Sequence, residues 1–125
     1  MSTTALPKGL IDREIFDAIC HMSDGQLRNI YTEFLDNTLI KIAWLKSAAN
    51  DGQYKEIELW ARNLTKQSEN LGAEEFSKIC HQLAEDAKRK DLHSKSFLIA
   101  EITKTFHLTK DELELLISSI ESSWV

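Results

Sequence analysis

Four histidines, two cysteines and one charged helical ridge are the side chains of this sequence with chemistry to offer. The ridge lies in WARNLTKQSENLGAEEF, residues 60–76. At 3.6 residues per turn, Ile57, Trp60, Ala61, Leu64, Ser68 and Leu71 fall on one side of the helix, and Lys55, Arg62, Lys66 and Glu69 on the other. A ridge of this kind is either a solvated face with weak ion-pair support at three- and four-residue spacing, or a set of cations presented to the carboxylates of another protein. Spacing alone leaves both readings open.

Cys20-His21 and Cys80-His81 are identical dipeptides and raise the question of a Cys2His2 metal site. Adjacent side chains on a helix diverge by about 100°, whereas structural zinc ligands come as C-x2-4-C or H-x3-5-H pairs converging on one face. The expectation is therefore two reduced cysteines in apolar helical contexts and no metal. A glycine-rich phosphate loop, a G-x-S-x-G elbow and an H-E-x-x-H pair are all absent from the sequence, and no cofactor is expected.

The elements that would position these groups are all helical. Asp12 is placed to cap a short helix through about His21, with Ile11, Ile15, Phe16 and Ile19 on its apolar side and Ser23-Asp24-Gly25 ending it. A long helix is expected from about residue 25 to Ala49, where Leu27, Ile30, Tyr31, Phe34, Leu35, Leu39, Ile42 and Leu45 recur at helical steps and Asn50-Asp51-Gly52 supplies the stop. The third spans roughly residues 53–71 and closes at Gly72; the fourth carries Phe76, Ile79, Cys80, Leu83 and Ala87, with Lys88, Arg89 and Lys90 at its negative end. From about Ser94 to Ser122 the apolar rhythm is continuous, yet Thr109 and Glu112 are spaced as a capping box, so one helix and two helices both fit. Asp111, Glu112 and Glu114 read as the first turn of a helix, stabilised by its dipole.

No segment alternates with period two, and short turns between long helices imply antiparallel neighbours. The fold class is all-α, an up-and-down four-helix bundle with an extra short N-terminal helix, in one domain spanning residues 1–125 with residues 1–10 flexible. Composition agrees: 42% apolar, 28% charged, 4 glycines and 1 proline. A net charge of -5 disfavours nucleic acid and anionic membrane as partners. MSTTALPKGL lacks an apolar stretch behind a basic one, and no later run is long enough to span a bilayer, so a cytoplasmic protein is expected. Trp44 and Trp60 fit the core or its edge. Trp124, with Tyr54 and Leu59, is a candidate apolar contact for a partner or for a weak homodimer of an otherwise monomeric chain.

Ala61-Arg62-Asn63-Leu64-Thr65-Lys66 followed by Leu71-Gly72-Ala73 resembles the motif A-H-x-L-K-G-x-x-x-x-L-G-A of histidine-containing phosphotransfer (HPt) domains. The flanking segments FLDNTLIKIAWLKSAANDGQYKEIELWA and FSKICHQLAEDAKRKDL are similar to that family's preceding and following helices, so the resemblance runs from about Asp12 to the end. It implies a helical bundle whose phosphoryl-accepting histidine stands where this chain has Arg62. The family's lysine near the phosphoryl group corresponds to Thr65, and the glycine that makes room for the partner's active site corresponds to Lys66.

Arginine cannot replace that histidine as a nucleophile, because its guanidinium stays protonated and has no free lone pair. The resemblance thus implies a degenerate HPt domain, not an enzyme. Its expected partner is a response-regulator receiver domain or a histidine kinase, bound through Lys55, Arg62, Thr65, Lys66 and Glu69 without carrying phosphate. A receiver's phosphorylation pocket is lined by acidic residues, to which Arg62 and Lys66 are suited. Two alternatives stand beside this reading: phosphotransfer through a displaced histidine, His81 in HQLAED or His93 near a helix start, and a plain helical interaction domain.

Overall fold

The computed structural model describes residues 9–123. Among these residues there are five helices and no strand: α1 (Arg13–Met22), α2 (Leu27–Asn50), α3 (Tyr54–Asn70), α4 (Glu74–Lys88) and α5 (Lys95–Ser123). Helices α2 to α5 pack in the order α2, α3, α4, α5, and contacts between α2 and α5 close the ring. Connections this short force each helix to reverse direction on its predecessor, which gives the up-and-down bundle expected from the sequence.

Each stop follows from local backbone chemistry. At the end of α3, Gly72 takes a φ of 82° and the Ala73 N–H reaches back to the Ser68 carbonyl at 2.8 Å, so carbonyls that the last turn leaves open are satisfied. Gly52, φ 65°, closes α2 in the same way through Gln53 N–H and Ala48 O at 3.0 Å. After α4 the left-handed position falls on Lys90 at φ 60°, with Asp91 N–H on Asp86 O at 2.8 Å. Asp12 caps α1 as expected, its Oδ1 accepting from the Glu14 and Ile15 N–H groups at 3.0 and 3.2 Å.

The core is the set of residues on the inward stripes, including Phe16, Leu27, Tyr31, Leu45, Ile57, Leu64, Phe76, Leu83, Ile102 and Leu113. Truncating a fully buried member such as Leu64 to alanine is expected to cost about 2–5 kcal/mol. Phe16 brings α1 against the bundle, its ring 5.6 Å from that of Tyr31, whose hydroxyl donates to Leu71 O at 2.8 Å. Burial pushes that phenol above its ordinary pKa. Short α1 therefore braces the turn between α3 and α4.

Several expectations are corrected. The last stretch is one helix: Thr109 is buried and its hydroxyl donates to the Thr105 carbonyl at 2.7 Å, as a threonine inside a helix does when it has no exposed amide to cap. Asp111, Glu112 and Glu114 are consequently not a first turn. Glu112 instead accepts from the Leu10 N–H at 3.3 Å, and Glu114 binds Arg28. Leu10 also accepts from Glu75 N–H at 3.4 Å, and residues 1–8 lie outside the described part. Leu39 is 54% exposed despite its place in the apolar rhythm of α2, because a single stripe on a 24-residue helix is wider than the surface its neighbours cover. Trp44 and Trp60 pack together at the bundle edge, their rings tilted by 45° with centroids 4.6 Å apart. Trp124 lies outside the described residues.

Candidate functional site

The α3 ridge forms on the side of the helix away from Ile57, Ala61 and Leu64, which are fully buried. Lys55, Lys66 and Glu69 are exposed along it, and Arg62 and Thr65 are half-buried where the ridge meets α4. The sequence-derived residues therefore do share one face. They do not share one environment.

Arg62 is held between two carboxylates of its own chain. Its Nε donates to Glu58 Oε2 at 2.8 Å, one turn earlier on α3, and its Nη2 donates to Glu85 Oε2 at 3.0 Å on α4. The guanidinium fork matches this arrangement, since its N–H groups point in fixed directions and serve both acceptors at once. Hydrogen bonding to Glu58 and then Glu85 holds the guanidinium pKa further above its already high value. The hydrogen bond from Arg62 in turn draws Glu85 below the ordinary carboxylate range; desolvation opposes it, and the charges of Arg62, His81 and Lys88 add smaller contributions in the same direction as the hydrogen bond. All three side chains are partly open to solvent, so the cluster is accessible from outside.

Thr65 is turned inward. Its hydroxyl donates to the Ala61 carbonyl at 2.8 Å, a bond that ties it to its own helix. Lys66 has no ion pair among the described residues and stands exposed one turn beyond Arg62. On the α2 side, Lys41 Nζ donates to Gln67 Oε1 at 2.8 Å, and burial lowers the lysine pKa. Asn63 adds a buried side-chain oxygen with no hydrogen-bond partner among the described residues.

Sequence reasoning missed Glu58, Glu85 and Asn63. Glu58 was legible as the i−4 neighbour of Arg62, an ion-pair spacing on any helix. Glu85 was not, because its approach depends on the angle and register at which α4 packs on α3. The orphan oxygen of Asn63 likewise emerges only from packing.

The remaining candidates are scattered. His21, His81, His93 and His107 are all exposed. His81 lies one turn before Glu85 on α4 and so borders the Arg62 cluster, whereas His93 sits in the loop before α5. Cys80 is fully buried and burial raises its thiol pKa; Cys20 is partly buried, and the two are not joined in a disulfide. Among the described residues no group of three His, Cys, Asp or Glu side chains is arranged to hold a metal ion, and no helix is long and apolar enough to cross a membrane.

Neither a protein-family model nor a curated protein matches the chain. Among solved structures, histidine-containing phosphotransfer protein B from Pseudomonas aeruginosa superposes with a TM-score of 0.84 over 87% of this chain and 95% of that one, at 17% sequence identity. Identity that low with superposition that complete speaks to architecture. In fold, the chain is similar to a histidine-containing phosphotransfer protein.

Proposed function

We propose that this protein is a phosphorelay module that binds a receiver domain or a histidine kinase without carrying phosphate, and so blocks or titrates that partner. The observation that carries the reading is Arg62. It stands at the phosphoryl-acceptor position of the motif, it cannot accept a phosphoryl group, and Glu58 and Glu85 occupy its hydrogen-bonding fork. The HPt-like fold supports a phosphorelay setting, and Thr65, turned onto its own backbone, supplies no cation in place of the motif lysine.

Docking on this ridge differs from a simple meeting of free charges. A partner's carboxylates reach exposed Lys66 and Lys55 directly, but to engage Arg62 they must displace or share Glu58 and Glu85. Exposed lysines steer the encounter, and the Arg62 fork sets its geometry.

Calorimetric titration against a panel of receiver and kinase domains tests the proposal. Binding is expected to weaken with Lys66→Asp, with Arg62→Asp and with added salt, since salt shortens the reach of exposed charges, to a Debye length of about 10 Å at 0.1 M ionic strength. Complex formation indifferent to both substitutions and to salt would point to an apolar contact through residues such as Tyr54 and Leu59, which are 38% and 59% exposed.

A further inference from the structure

A cavity of about 530 Å³ opens between the C-terminal end of α2 and the first turns of α5, and no residue of α3 or α4 contributes to its lining. It is therefore separate from the Arg62 ridge. The charged side chains that line it are Lys46, Lys95 and Lys104, with no carboxylate among them. This concentration of positive charge occurs in a chain of net charge -5.

The lysines divide into an anchored one and two that are available. Lys95 Nζ donates to the Ala49 carbonyl at 2.8 Å, beside the Gly52 N–H that the same oxygen accepts at 3.2 Å, and so ties the two walls together. Lys46 and Lys104 are exposed and form no ion pair among the described residues. Ala49, Ile99 and Ala100 supply apolar lining beside them. Lysines and apolar carbon in one lining suit a molecule that carries both an anionic group and a carbon portion, and the volume lies in the range of about 300–1,000 Å³ usual for small-ligand sites. Lysine meets phosphate as a compact point charge, and one multiply charged phosphate can satisfy two ammonium groups at once.

We propose that this cavity binds a small phosphorylated metabolite, its phosphate held by Lys46 and Lys104 and its carbon portion resting against Ala49, Ile99 and Ala100. The recognition is of charge and size, so inorganic pyrophosphate serves as the probe of the anionic part.

The test is a titration of the isotopically labelled full chain with inorganic pyrophosphate, followed by backbone amide NMR. Saturating shifts are expected at Asn50, Ser96 and Ala100, and Lys46→Glu with Lys104→Glu is expected to weaken binding by about tenfold or more. Arg13→Glu with Lys110→Glu changes the net charge equally at a distance from the cavity and is expected to have a much smaller effect. Ala100→Trp fills the cavity while keeping its lysines and is also expected to weaken binding, which guards against a charge variant that fails to fold. Shifts that grow without saturating, shifts spread evenly over the lysines of the whole surface, or equal weakening by the two charge-reversed pairs would overturn the proposal.

Discussion

Arg62 holds Glu58 and Glu85 at once, and these two hydrogen bonds change what its substitution should do. Removing the guanidinium with Arg62→Ala leaves Glu85 without its principal hydrogen-bond donor, so the Glu85 pKa, now depressed, is expected to rise toward that of a free glutamate. Carbon-detected NMR of the side-chain carboxyls across an acid titration reads this directly; an unchanged Glu85 titration would mean the pair does not form in solution. A second prediction tests the chemistry of the ridge. If the bundle retains an HPt-like docking face, Arg62→His combined with Thr65→Lys and Lys66→Gly is expected to gain acid-labile phosphate from a phosphorylated receiver, while Arg62→His alone gains less because the neighbouring cation and the clearance are still missing. A triple variant that binds the receiver but remains unphosphorylated would show that the fold lacks more than these side chains.

Gly72 links two elements at the end of α3. It has a positive φ, and a Cβ there would stand 3.1 Å from the Asp12 carbonyl oxygen and 3.2 Å from Ile15 Cβ. Gly72→Ala is expected to destabilise the protein by about 1–3 kcal/mol, through left-handed backbone strain and through α1 being pushed off the turn it braces. Urea denaturation measures the loss, and a variant of unchanged midpoint would contradict the close packing of α1 on this turn. This position was legible in the sequence, as were the Asp12 cap, the Gly52 stop and the helical stripes, because each depends on residues near one another in the chain. The capping box at Thr109 left one helix or two undecided for the opposite reason: a threonine and a glutamate at cap spacing specify a helix start only where the amides are free, and the continuous packing of α5 consumes them. Leu39 shows the same limit, since periodicity identifies a stripe but not how far its neighbours cover it.

Across the whole molecule, arginine forks join helices distant in sequence. Arg62 ties α3 to α4, and Arg28 ties α2 to α5 through Glu114 at 3.0 Å and Glu121 at 2.8 Å. Hydrogen bonding to Arg28, then to Ser118, holds Glu114 below the ordinary carboxylate range, as hydrogen bonding to Arg62 does for Glu85. A carboxyl whose pKa is lower in the folded than in the unfolded chain contributes stability that is present above the unfolded value and lost as pH falls through the folded one. The melting temperature is therefore expected to drop on acidification through the carboxylate range, and Arg28→Ala together with Arg62→Ala should flatten that dependence, as differential scanning calorimetry at a series of pH values would record. The sequence contained every member of these clusters but not their pairing, because Glu85 and Glu121 reach their arginines only after the bundle closes.

The central claim, a phosphorelay partner bound by a chain that takes no phosphate, is tested most directly by following both quantities in one mixture. The protein is combined with phosphorylated and unphosphorylated receiver domains from its own cell, and phosphate on the protein and complex formation are measured together. The expected result is a complex weakened by Arg62→Asp and Lys66→Asp, with no phosphate on the protein. Acid-labile phosphate appearing on it, and abolished by substitution of His81 or His93, would contradict that claim and assign the transfer to a displaced histidine.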